Sequence, residues 1–115
     1  DVAAADLRAA VPAAEIVAVN DGAHVDLARA IELLHERGHA TILSEAGPTT
    51  FASLLEKRLV DELFLTVSPL LAGHALASRL NLVEGVELLP ERRVSGRLRS
   101  VRTNGSHLFL RYGLR

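Results

Sequence analysis

Three short apolar runs divide this chain and constrain its fold: EIVAVN at Glu15–Asn20, ATIL at Ala40–Leu43, and DELFLTVSPLL at Asp61–Leu71. Stretches of helical period separate them. In HVDLARAIELLHERG (24–38), Leu27, Ile31 and Leu34 fall at i, i+4 and i+7 with Ala30 beside them, which makes one apolar stripe. Asp26 suits a helix cap or first turn, and Gly38 a stop. Pro48 opens a second helix, because a missing N–H is harmless at the first helical position. Phe51, Leu54 and Leu55 line its expected buried face.

The last thirty residues read differently. Val86–Arg102 is β-prone but broken by Pro90 and Gly96. Asn104-Gly105 is a strong hairpin signal that asks for positive φ at both turn residues, and SHLFLRYGLR alternates beyond it. The order β-α-β-α-β followed by a hairpin predicts an α/β fold: a mainly parallel sheet flanked by helices, with right-handed crossovers and a C-terminal antiparallel β-hairpin. The continuous run at 61–71 reads as a central strand covered on both faces. No repeat or linker divides the chain, so residues 1–115 are expected to form a single domain. Residues 1–14 are Ala-rich and read as a frayed helix or linker remnant.

At 49% hydrophobic and 3% aromatic residues, the core must be built from Leu, Val, Ile and Ala. Thirteen basic and 14 acidic residues leave a net charge of −1, which points away from nucleic-acid and membrane-surface partners. The basic cluster Arg92, Arg93, Arg97, Arg99 and Arg102 reads as a solvated sheet face. No cysteine is present, in keeping with a reducing, cytoplasmic setting. No apolar run reaches the roughly 20 residues that span a bilayer.

Two motifs compete for the chemistry in HERGHATILSEAGPTT (35–50). The first is His35-Glu-x-x-His39, the zinc-protease pattern. It needs both histidines on one unbroken helix. Gly38 stands between them as the expected helix stop, and His24, His74 and His107 fall in no ligand-like pattern, so no metal is expected. The second motif is the corner where the ATIL run meets Pro48. Here Gly47 allows close approach to a ligand. The first helical turn offers the N–H groups of Thr49, Thr50 and Phe51, the dipole adds partial positive charge, and two threonine hydroxyls can donate. Glu45 ends the strand and faces the same corner. On the residues alone two readings stand: an anion site, or an ordinary strand–helix turn with threonine caps and a solvated glutamate.

The longer string ILSEAGPTTFASLLEKRLVDELFLTVSPLLAG (42–73) resembles the reductase domain of the riboflavin-biosynthesis deaminase–reductase family, a relative of dihydrofolate reductase. The resemblance lies in an ordered series: an apolar strand, Glu45, the Ala46-Gly47-Pro48 turn, a short amphipathic helix, Leu59 to Leu63, Pro69 and Gly73. It extends more loosely to residues 25–37 and the closing hairpin. It implies a dihydrofolate-reductase-like fold and an NADPH-dependent reductase, acting on 5-amino-6-(5-phosphoribosylamino)uracil or, in a paralogue, on another substrate. Glu45 matches the acid that contacts the pyrimidine. Gly47, Pro48, Thr49 and Thr50 match the turn that holds the cofactor pyrophosphate, with contacts continuing along Phe51 to Ser53. No residue stands out as a general acid. A homodimer paired through sheet edges is also implied.

Two departures from the family pattern stand out. Ala46 replaces a usual glycine, where a methyl would obstruct a left-handed backbone or a close cofactor approach. The resemblance also covers about the C-terminal half of the family's domain. The alternative expectation is therefore an incomplete chain that serves as a structural or dimerisation half without catalysis.

Overall fold

A computed structural model of the chain describes residues 2–21, 24–71 and 81–114. The chain divides into two compact units, residues 1–42 and 43–115.

In the first unit, α1 (Val2–Ala10) is followed by two short strands, β1 (Asn20–Asp21) and β2 (His24–Val25), which pair antiparallel, and then by α2 (Leu27–Glu36). Asp26 caps α2 as its position in the sequence suggests. One carboxylate oxygen accepts from the N–H groups of Ala28 at 3.0 Å and Arg29 at 3.2 Å, which satisfies two of the donors a helix start leaves open. At the other end the Gly38 N–H donates to the His35 carbonyl at 2.9 Å, and the His39 N–H to the Leu34 carbonyl at 3.1 Å. This is a Schellman motif with Gly38 at φ 88° in the left-handed position. Exposed charges fasten the outer face: Arg29 bridges Glu32 and Glu36, and Arg37 pairs with Glu15.

The expected buried strand at 15–20 is corrected by the structure. Residues 15–19 make no ladder among the described residues; only Asn20 enters a strand. The Ile16 carbonyl accepts from the Arg8 guanidinium, and the Val19 carbonyl from the Asp26 N–H. With its carbonyls taken locally, the run has no partner strand to bury it. Gly22 of the expected Asp21-Gly22 stop lies outside the described residues.

In the second unit, Leu43–Gly47 leads into α3 (Pro48–Glu56), followed by β3 (Glu62–Val67), β4 (Arg97–Asn104) and β5 (His107–Gly113). The three strands form one antiparallel sheet in the order β3-β5-β4. Ala52, Leu54 and Leu55 are buried on α3, and Phe51 is half-buried. Helix α3 ends in a second Schellman motif, with Arg58 rather than glycine in the left-handed position at φ 55°.

Three further expectations change here. The ATIL run at 40–43 makes no strand ladder, and every ladder among the described residues is antiparallel. An extended run becomes a strand only through a neighbour that takes its N–H and C=O groups, and none of the described residues does so. Secondly, β3 is an edge strand rather than a central one, with Phe64 66% exposed. Thirdly, the hairpin forms as expected, but Asn104 is paired with His107 and the turn is Gly105-Ser106. Only Gly105 has positive φ, 56°, which matches a turn with glycine at the first central position rather than one needing two such residues.

A bulge between Leu98 and Ser100 shapes the sheet. In plain alternation Leu98 and Val101 would face opposite ways. The extra residue, Arg99, resets the alternation, so Leu98 and Val101 share a face with Leu63, Leu65, Leu108, Leu110 and Tyr112. Glu62, Phe64, Thr66, Ser100, Arg102, Phe109 and Arg111 occupy the other face.

Candidate functional site

The corner at residues 45–53 belongs to the second unit, and its geometry differs from the start of α2. Gly47 is the cap residue of α3, with extended backbone (φ −68°, ψ 175°) and no side chain to satisfy the first turn. Pro48 brings no N–H. The N–H groups of Thr49 and Thr50 have no partner among the described residues, and both residues are exposed. The Phe51 N–H, expected to be free, instead donates to the Gly47 carbonyl at 3.0 Å. This is the first intrahelical bond, since the capping residue's carbonyl already belongs to the helix. Two open N–H groups therefore face outward, not three.

The other expected residues fall around this turn. Glu45 is exposed and unpaired among the described residues, two positions before the cap. The Ser53 hydroxyl donates to the Thr49 carbonyl at 3.2 Å, so its proton is engaged inside the helix rather than offered to a ligand. The obstruction expected of Ala46 does not arise from the backbone: Arg58 is the one non-glycine residue with positive φ among the described residues. Gly47 has an ordinary φ, and a methyl placed on it would meet nothing within 4 Å. Its Cα side is open space.

A segment that reads in the sequence only as a loop with some helical potential borders the corner. The Glu84 N–H donates to the Pro48 carbonyl at 3.4 Å, and Gly85 lies beside the Thr49 methyl, where an added Cβ would come within 3.8 Å. The Glu84 carboxylate turns back to the Asn81 N–H at 2.8 Å. Only the chain's return to α3 reveals this; the local letters carry no signal for it. Beyond Gly85 an open cavity of about 340 Å³ is lined by Glu56, Val86, Glu87, Glu91 and Arg92, with Arg92 paired to Glu56. Its surplus of carboxylates does not suit a pyrophosphate.

The His35-Glu-x-x-His39 pattern is interrupted at Gly38, where the sequence places the helix stop. His35 lies in the last turn of α2, while His39 lies beyond Gly38 and outside the helix. The two do not sit one turn apart on a continuous helix. Among the described residues no three His, Asp or Glu side chains gather as a metal site would need. His74 and Gly73 lie outside the described residues.

A cluster that sequence reasoning missed lies on β3 and β5. Arg111 makes a two-pronged contact with Glu62 at 3.0 and 2.6 Å, and its guanidinium stands 5.6 Å from the Phe64 ring centroid. Hydrogen bonding to Arg111 holds the Glu62 carboxyl below the usual carboxylate range, and the same contact raises the Arg111 guanidinium. The alternation in SHLFLRYG was the available signal, but the register with 62–67 was not.

A comparison with protein families matches residues 3–110 to the model of the RibD C-terminal domain. The chain belongs to that family. The RibD C-terminal domain is a reductase domain of riboflavin biosynthesis, so the resemblance first seen at residues 42–73 covers nearly the whole chain and runs through both units. No curated protein matches the chain. No helix among the described residues is long and apolar enough to cross a membrane.

Proposed function

We propose that this RibD C-terminal domain is an NADPH-dependent reductase of a phosphoribosylamino-pyrimidine intermediate of riboflavin biosynthesis, 5-amino-6-(5-phosphoribosylamino)uracil or a close relative, working in the cytoplasm. Family membership supports the reductase class. The observation that carries the cofactor assignment is the open start of α3: two exposed, unpartnered N–H groups at Thr49 and Thr50, and a cap residue with no side chain to close them. Helix α2 closes its own start with Asp26; α3 leaves its start for an anion.

In this reading Gly47, Pro48, Thr49 and Thr50 hold the pyrophosphate. The threonine hydroxyls add donors, and Gly47 leaves room for the backbone to approach. Phe51 and Ser53 shape the turn: Phe51 by the first helical bond, and Ser53 by bonding the Thr49 carbonyl. Glu45 contacts the pyrimidine, where a free carboxylate accepts from ring or exocyclic N–H groups. The cofactor, when bound, supplies the hydride; the protein positions and polarises. A dihydrofolate-reductase-like arrangement belongs to this same proposal.

A homodimer is part of the proposal, with the apolar sheet face rather than the sheet edge as its surface. Strand β4 presents Arg97, Arg99 and Arg102 along the edge, and charges there oppose strand pairing. The face carrying Leu98 and Val101, 51% and 50% exposed, has no charge. That exposed face also favours a second reading, a structural or dimerisation role without catalysis.

A calorimetric titration with NADPH, with NADH as comparator, separates the two. Micromolar or tighter binding with an NADPH preference supports the reductase. No binding to a folded chain overturns the cofactor assignment and leaves the structural reading.

A further inference from the structure

The charged face of the β3-β5-β4 sheet holds an arrangement that the proposed reductase chemistry does not use. Phe64 stands opposite Arg111, and Phe109 stands between Thr66 on one side and Arg102 on the other. The two phenyl rings are therefore diagonal neighbours on adjacent strands, at positions roughly 7–8 Å apart in a sheet. Both rings are open to solvent, Phe64 at 66% and Phe109 at 41%. With Thr66, Ser100, Arg102 and Arg111 they line an open cavity of about 540 Å³. That volume lies within the range of small-molecule sites.

The two arginines differ in what they leave available. Arg111 is committed to Glu62 and to one face of Phe64. Arg102 is exposed and has no ion-pair or hydrogen-bond partner among the described residues, and no carboxylate lines the cavity. The cavity thus combines one uncompensated guanidinium, the hydroxyls of Thr66, Ser100 and Thr103, and two accessible π-faces.

We propose that this cavity binds a nucleoside monophosphate. A flat heteroaromatic base stacks on Phe109 and on the Phe64–Arg111 pair, because every base has a π-face and both aromatic rings and guanidinium planes accept it. The phosphate takes the fork of Arg102, whose planar donors match phosphate oxygens. One unpaired arginine matches one phosphate group. Arg97 and Arg99 of the same strand do not line the cavity, and the chain's net charge of −1 argues against a polynucleotide. None of the lining residues belongs to the corner at 45–53, so the proposal does not rest on the cofactor reading.

The test is an NMR titration of the isotope-labelled chain with adenosine 5′-monophosphate. Inorganic phosphate and a short single-stranded oligonucleotide are run beside it. The mononucleotide is expected to perturb amides around Phe64, Ser100, Arg102 and Phe109. Phe109→Ala and Arg102→Gln should each weaken binding by about tenfold. Arg93→Gln, an exposed arginine outside the cavity, should leave binding unchanged. The proposal is overturned if neither cavity variant weakens binding, or if phosphate alone binds as tightly. It is also overturned if only the oligonucleotide binds, or if Gly47→Asp removes the effect and so assigns the nucleotide to the α3 corner.

Discussion

Arg111 faces Phe64 across the β5–β3 ladder while both prongs of its guanidinium reach diagonally to Glu62, at 3.0 and 2.6 Å. One side chain thus ties two residues of the neighbouring strand, one by charge and one by a ring face. The planar fork suits both contacts at once, which a lysine would not.

The pair makes a pH prediction. Hydrogen bonding to Arg111 depresses the Glu62 carboxyl in the folded chain, while in the unfolded chain it titrates at the ordinary value of about 4.3. Between the two values the unfolded state binds more protons, so stability rises with pH there. The contribution is fully present above the ordinary value and is lost as pH falls through the folded one. Melting curves of the native chain and Glu62→Gln are therefore expected to differ near neutrality and to converge in acid. A constant gap at all pH values would refute the assignment.

Gly47→Asp separates cofactor binding from stability. An aspartate at this cap can accept from the open N–H groups of Thr49 and Thr50, as Asp26 does for α2, and its Cβ meets nothing within 4 Å. A gain of a few tenths of a kcal/mol is expected relative to glycine. The same carboxylate occupies and repels the pyrophosphate position, so NADPH binding should disappear. Thermal melting and calorimetry on one sample check both halves. Normal NADPH binding by the variant would end the cradle assignment.

Gly38→Ala is expected to cost about 1 kcal/mol. The residue holds φ 88°, and an added Cβ meets nothing within 4 Å, so the loss reports backbone strain without a packing term. Urea denaturation measures it, with the slope of the transition unchanged. A neutral result would mean that the end of α2 relaxes, much as Arg58 already occupies the left-handed position after α3.

Ala52→Leu tests how tightly α3 is seated. Ala52 has no exposed surface, and Leu54 and Leu55 close the same buried side. Overpacking of this kind costs roughly 1–3 kcal/mol, read as a fall in melting temperature. An unchanged melting temperature would show spare volume beneath the helix.

The sequence by itself determined the features whose causes lie within a few residues. Asp26 caps α2, Gly38 ends it, Pro48 starts α3 and Gly105 turns the hairpin, because each answers a need of the adjacent backbone. The missing capping side chain at Gly47, by contrast, appears only in the structure, since the sequence alone also allows threonine caps there. The tertiary structure alone decided what depends on distant partners. It left the 15–19 and 40–43 runs without ladders, set β3 at an edge, and brought Glu84 against Pro48. It also placed the bulge at Arg99, which turns Val101 to one face and Arg102 to the other. An apolar run states only that it favours burial; which neighbour takes its hydrogen bonds is chosen among all segments of the chain, and a one-residue shift reverses every side chain. That choice is what brought Phe64, Phe109, Arg102 and Arg111 around one cavity.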